Sequence, residues 1–220
     1  MGYLPLFLDV DGRRCVVVGG GPVAARKAAV LAEAGAEVHV VSPEFSAELE
    51  SMAALLNLHR RPYGSGDLDG AAVVFACTDD GRLQRAIATD GRAAGALVNV
   101  VDEADASDFI SGYLVHRGKV VVAVSTSGAS PTLARSVGRR VEEAIGPEYG
   151  RAAEILGRLR PVVMDSIKSP EERSRVFASI LDGGLLDLLA SGRDQEAGRL
   201  IEGIIGSGFD VAETATGEKG

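Results

Sequence analysis

The chain has 220 residues, 46% of them hydrophobic, with a formal charge of −8 and a pI near 5.0. That length allows one sizeable domain, or a domain with a smaller appendage, and the apolar fraction excludes a disordered chain. The acidic balance argues against nucleic acid as a main partner, because phosphate binding needs a basic surface.

The longest apolar runs, such as Val120–Val124, are far too short to span a bilayer. The N-terminus lacks the basic region and apolar stretch of a signal peptide. Cys15 and Cys77 sit in apolar, strand-like runs and read as buried reduced thiols, without the paired spacing of a zinc site. A cytoplasmic protein is the expectation.

In chain order, residues 14–19 (RCVVVG) form a valine-rich strand that runs into a glycine turn and then a helix over 23–34, with Gly35 placed for a left-handed cap. A second strand covers 36–42 and stops at Pro43. A short helix follows around 46–56, then a weak strand at 57–63 and a clear one at 71–78. A helix at 80–94 and a strand at 96–101 complete the series. Strands alternating with helices predict a parallel sheet covered on both faces, so residues 1–112 read as a Rossmann-type α/β domain.

The pattern then changes. Residues 113–116 and 119–124 are two short strands around Arg117–Gly118, a hairpin rather than a crossover. Ser130–Pro131 reads as an N-cap with proline at the first helical position, opening a helix to about Ala144 that Gly146–Pro147 ends. From 148 onward the patterns are helical, over 149–167, 170–182, 184–190 and 194–205. Ser169–Pro170–Glu171–Glu172 reads as a capping box. The expected organisation is a domain over 1–112, a hairpin-plus-helix dimerisation segment over 113–146, a helical domain over 147–205 and a frayed tail over 206–220.

The first functional signal is Gly19-x-Gly21-x-x-Ala24 between a predicted strand and a predicted helix, a context that makes an otherwise weak motif informative. Gly19 permits the tight turn, Gly21 leaves room for a pyrophosphate, and Ala24 lets helix and strand pack. Pro22 and Val23 open the helix, whose first N–H groups and positive dipole end face the phosphates. The second strand ends Ser42–Pro43–Glu44, making Ser42 and Glu44 the candidates for the adenosine ribose hydroxyls. No arginine sits beside them to take a 2′-phosphate, although His39 and Arg60–Arg61 are near in sequence. NAD is therefore favoured over NADP.

Five stretches carry a resemblance. They are Leu4–Pro5–Leu6–Phe7, Val18–Gly19–Gly20–Gly21–Pro22–Val23–Ala24–Ala25–Arg26–Lys27, Ala76–Cys77–Thr78–Asp79–Asp80, Asn99–Val100–Val101–Asp102, and 122–131 (VAVSTSGASP). In this order, over about two thirds of the chain, they resemble the precorrin-2 dehydrogenases, found alone or as the N-terminal part of siroheme synthases. The resemblance implies oxidation of precorrin-2, a carboxylate-rich tetrapyrrole, to sirohydrochlorin with NAD+, and in some members insertion of ferrous iron to give siroheme. It also implies a homodimer built through the segment after the Rossmann domain. Some members add a methyltransferase module, for which 220 residues leave no room.

Asp102 ends the last parallel strand, and open α/β sheets bind ligands at the carboxyl ends of their strands. A carboxylate shielded by cofactor and ring is suited to accept the proton released in dehydrogenation, and the resemblance assigns that role to this position. An N-cap or a plain surface carboxylate is the alternative. Thr78, Asp79 and Val101 are expected to line the nicotinamide side, with Thr78–Asp79–Asp80 also serving as a helix cap. Ser125, Thr126, Ser127 and Gly128 precede a helix N-terminus and suit an anionic group, with Arg135, and further on Arg139 and Arg140, on the same helix. His39, His59 and His116 share no metal-ligand spacing, so no resident metal is expected and iron would be a substrate. Two rivals stand beside the dehydrogenase. One is a bifunctional enzyme with chelatase activity; the other is a non-catalytic NAD-sensing module. A redox-sensing repressor is disfavoured by the lack of a basic helix-turn-helix.

Overall fold

A computed structural model describes residues 2–206. It divides into two compact units between Ser111 and Gly112. The expected frayed tail, apart from Gly206, lies outside the described residues.

In the first unit, five parallel strands, β1 (Arg14–Val18), β2 (Glu37–Ser42), β3 (Asn57–Arg60), β4 (Val73–Ala76) and β5 (Leu97–Val100), form one sheet in the order β3-β2-β1-β4-β5. The valine-rich runs are buried on both faces, as parallel strands covered by helices must be. Helices α1 (Pro22–Glu33) and α2 (Ala47–Ser51) cover one face over Val17, Val40 and Phe75. Helix α3 (Gly81–Ala93) covers the other over Val16, Val74 and Val98. The chain order reverses between β1 and β4, so the crevice at their carboxyl ends is the switch point where such folds take ligands. The parallel Rossmann-type sheet expected from the alternation is confirmed.

Boundaries moved inward where local signals ran out. Helix α2 ends at Ser51 and gives way to turns, instead of reaching residue 56. Gly35 does adopt the left-handed conformation, at φ +79°, that ends α1.

The second unit opens with the antiparallel hairpin β6 (Tyr113–Arg117) and β7 (Val120–Val124), followed by α4 (Pro131–Ala144). The Ser130 hydroxyl oxygen accepts from the Leu133 amide, which fixes the start of α4 as the sequence indicates. Four helices follow: α5 (Pro147–Ser166), α6 (Pro170–Asp182), α7 (Leu185–Ala190) and α8 (Asp194–Ile205). Ile155, Leu159, Ile180, Leu185 and Ile201 form their core. Pro147 both follows the end of α4 and opens α5. At α6 the Ser169 hydroxyl oxygen accepts from the Glu172 amide, and its own proton goes to the Glu171 carboxylate, so the cap uses a different acid from the expected box.

Candidate functional site

The glycine turn lies at the carboxyl end of β1. Gly19 has φ +137°, and a Cβ there would come within 2.3 Å of the Cys77 carbonyl oxygen. Its amide donates to the Val41 carbonyl at 3.0 Å, while the Cys77 amide donates to that of Val18 at 2.7 Å. The turn is thereby pinned to both neighbouring strands.

Gly20, absent from the motif's numbered positions, is the most confined. Its Cβ would stand 1.8 Å from the Glu44 carbonyl oxygen and 2.7 Å from Ser42 Oγ, and the Ser46 amide donates to the Gly20 carbonyl at 2.8 Å. The segment after β2, carrying Pro43 and Glu44, thus leans directly on the glycine turn. The signal was the middle glycine of the Gly19–Gly20–Gly21 run, but only the fold shows what crowds it.

Gly21 differs: a Cβ there meets nothing within 4 Å, and its φ of −86° suits any residue. It caps α1 without a side-chain hydrogen bond, and Pro22 is the first helical residue. The first-turn N–H groups at Val23 and Ala24 are among those an α-helix leaves without an intrahelical partner. Ala24 is fully buried against the sheet. A tight turn, room above Gly21 and a helix N-terminus without a side-chain cap together fit a dinucleotide pyrophosphate.

On the other side of the switch point, Thr78 and Asp79 follow β4. Asp80 caps α3, its carboxylate accepting from the Arg82 amide at 2.8 Å and the Leu83 amide at 3.3 Å. Gln84 was not singled out from the sequence. It is nearly buried, and its side-chain amide donates to the Thr78 carbonyl at 2.7 Å, with a longer 3.5 Å contact to the Val101 carbonyl. Asn99 holds the following segment by donating to the Phe109 carbonyl.

Asp102 is exposed and has φ +63°, one of two non-glycine residues with positive φ among those described. It occupies the third position of a turn closed by the Glu103 amide on the Val100 carbonyl at 3.2 Å, where glycine or asparagine is the ordinary choice. It is not an N-cap; the short 3-10 turn that follows begins after Glu103 and has no side-chain cap. Because Asp102 is exposed, the shielding expected around its carboxylate has to come from bound molecules.

Lys27, on α1, lies 5.2 Å from the centroid of the Phe75 ring, and burial lowers its pKa. Burial pushes the Cys77 thiol up to about 12, so Cys77 stays protonated at neutral pH and is no nucleophile. Below the site, His39 Nδ1 and His59 Nε2 are 2.9 Å apart, and His39 Nε2 contacts Arg14 and Glu37. This network ties β1, β2 and β3 together. At the opposite, amino end of the strands a shallow depression of about 450 Å³ is lined by Arg13, Arg14, Ala72 and Leu97, away from the glycine turn.

In the second unit, Ser125, Ser127 and Gly128 are exposed ahead of α4, with Ser127 at φ +53°. Thr126 Oγ1 is spent inside the loop, accepting from the Ser130 amide at 3.0 Å. Ser125 Oγ accepts from the Ser127 amide. Arg135, Arg139 and Arg140 are all exposed on α4.

Fold and glycine turn together define a dinucleotide-binding Rossmann unit followed by a helical unit, and comparison with known proteins gives the same pair. A family model described as "Putative NAD(P)-binding" matches residues 6–113, and one described as the sirohaem synthase dimerisation region matches 148–205. The chain is 40% identical over 210 residues to a siroheme synthase of Chromobacterium violaceum and 36% identical over 211 residues to one of Nitrosococcus oceani. These alignments cover 94% and 95% of the chain but 45% of each relative, so the chain spans about half their length. Among solved structures it resembles SirC, a precorrin-2 dehydrogenase, with a TM-score of 0.71 and 26% identity, covering 91% of this chain and all of that one. By sequence and by fold the chain thus matches siroheme synthases and the precorrin-2 dehydrogenase SirC, and its first unit matches an NAD(P)-binding domain.

Proposed function

We propose that the chain oxidises precorrin-2 to sirohydrochlorin with NAD+. The observation that carries this reading is the placement of an exposed carboxylate, Asp102, in a left-handed turn at the carboxyl end of β5, across the switch point from a glycine turn built for pyrophosphate. A non-glycine residue held in that conformation costs on the order of 1 kcal/mol, and such outliers gather at functional sites. The likeness to siroheme synthases and to SirC supplies the substrate.

Bound NAD+ supplies the two-electron acceptor. Gly19, Gly21 and the first turn of α1 hold the pyrophosphate, Ser42 and Glu44 the adenosine ribose, and Thr78, Asp79 and Val101 border the nicotinamide. Each oxidation removes two electrons and two hydrogens from the tetrapyrrole. One hydrogen leaves with the electron pair, and Asp102 takes the other as a proton from carbon or nitrogen. Ser125, Thr126, Ser127, Gly128 and Arg135 are assigned to the substrate carboxylates. Since Thr126 Oγ1 is engaged inside the loop, backbone N–H groups and Arg135 carry most of that role.

Two copies are assigned to one assembly in the cytoplasm. Leu114, His116, Val121 and Ala123 share the hairpin face opposite Val115, the buried residue of β6, and a two-stranded ribbon is marginal alone. The region matched as a dimerisation region begins just after this segment, so the contact is assigned to 113–146 with the helical residues 147–205 contributing.

Mixing the purified chain with precorrin-2 and NAD+ and following the sirohydrochlorin absorbance tests the reaction. NAD+ binding without any sirohydrochlorin would leave the NAD-sensing module as the reading. Adding Fe2+ to the product then distinguishes an enzyme that also inserts iron.

A further inference from the structure

Arg60 and Arg61, near the end of β2 in sequence, are brought beside it by the sheet. The parallel register sets Arg60 beside Ser42, and the Arg61 amide donates to the Ser42 carbonyl at 3.1 Å. Arg60, the last residue of β3, and Arg61 just after it therefore lie next to the residues assigned to the adenosine ribose. Arginine is the usual partner of a 2′-phosphate at this place in the fold.

Neither arginine is unengaged. Arg61 forms a two-pronged pair with Asp67, whose carboxylate side chain is only 10% exposed and also accepts from the Gly64 amide. That pair is structural, and Arg61 lowers the Asp67 pKa. Arg60 is held differently. It pairs with Glu50 on α2, and its guanidinium carbon stands 5.0 Å from the centroid of the Phe45 ring. Phe45 adjoins Glu44, which packs on Gly20. The Arg60 and Glu50 side chains are 56% and 45% exposed, so this pair is open to exchange.

We infer that the Glu50–Arg60 pair sets the choice between NAD and NADP: Glu50 occupies the guanidinium that would otherwise bind a ribose 2′-phosphate, and its negative charge opposes that phosphate. Arg60 is a latent phosphate ligand, stacked on Phe45 and held at the ribose end by its register with Ser42. This rests on the glycine turn being the cofactor site.

Calorimetry with NAD+ and NADP+ on the whole chain tests it. Glu50→Gln keeps the shape of the exposed side chain and removes its charge. It should bind NADP+ about tenfold tighter than the parent, the scale of one charge-assisted contact, with NAD+ affinity within about twofold. Adding Arg60→Gln should return NADP+ affinity to the parent value or below. Unchanged NADP+ affinity in folded Glu50→Gln overturns the proposal, as does a gain that survives removal of Arg60. A parent chain that binds neither dinucleotide overturns the cofactor reading itself, and the proposal with it.

Discussion

Gln84 Nε2 on α3 donates to the Thr78 carbonyl oxygen at 2.7 Å, from a residue only 9% exposed. Through the longer contact to Val101 the same amide spans the ends of β4 and β5, the two strands proposed to border the nicotinamide. Gln84→Ala leaves the Thr78 carbonyl short of a donor and should cost about 1–3 kcal/mol by urea denaturation. If Gln84 also positions the strand ends for cofactor, NAD+ affinity should fall in the variant while it is still folded. A loss of stability alone, with unchanged affinity, would leave Gln84 a purely structural tie.

Gly20 and Gly21 should separate folding from cofactor binding. Gly20→Ala forces a Cβ against the Glu44 carbonyl, and backbone cannot yield cheaply, so about 1–3 kcal/mol of stability should be lost. Gly21→Asp enters open space at an ordinary φ, so the melting temperature should hardly change. Its carboxylate would stand where the pyrophosphate approaches, and NAD+ affinity should drop by about two orders of magnitude, since like charges brought together cost several kcal/mol. Calorimetry showing native affinity in Gly21→Asp would remove the pyrophosphate from this turn.

Most of the fold was legible because its signals are local. The valine runs of β1, β2 and β4, the Ser130–Pro131 start of α4 and the left-handed Gly35 are each set by neighbours within a few residues. What stayed hidden depends on pairing between distant segments. Gly20 against Glu44 and the Gln84 contact to Val101 depend on how segments far apart in the chain pack, and the pairing of Arg60 with Ser42 on parallel register, neither of which pattern alone supplies. Asp102 was picked out by its place at a strand end, but its backbone conformation could not be read from its neighbours.

The histidine pair predicts a pH dependence. Burial, then the neighbouring His39 and Arg61, lower the His59 pKa below its ordinary 6.5; Asp67 opposes the shift and Arg14 adds to it. On acidification the unfolded chain therefore takes up the proton first. The stabilisation is complete above about pH 6.5 and is lost as pH falls from there toward the lower folded value. Urea midpoints between pH 7.5 and 5.5 should decline, and His59→Gln should flatten that decline. Parallel curves for parent and variant would place the pH dependence elsewhere.

Subunit association should depend on the open face of the hairpin. Val121→Asp places a charge on that face and should convert a dimer to a folded monomer in light scattering at micromolar concentration. Val162, on α5 and 49% exposed, lies within the matched dimerisation region, and Val162→Asp tests that part of the contact separately. A parent chain that is already monomeric would count against both.

Asp102→Asn is the most direct test of the proposed chemistry. Asparagine tolerates the left-handed conformation as well as aspartate does, so the turn at φ +63° should survive and the melting temperature should move little. The side chain is exposed, and removing its charge leaves no buried group unpaired. What disappears is the proton acceptor. NAD+ affinity should be retained while dehydrogenation falls about 10²–10⁴-fold, the usual worth of a positioned general base. Any iron insertion should fall with it, because pyrrole deprotonation would use the same carboxylate. Turnover and melting temperature measured on one preparation separate the alternatives. If turnover stays near that of the parent, Asp102 is a surface carboxylate in a strained turn, and the proton acceptor must be sought elsewhere around the switch point.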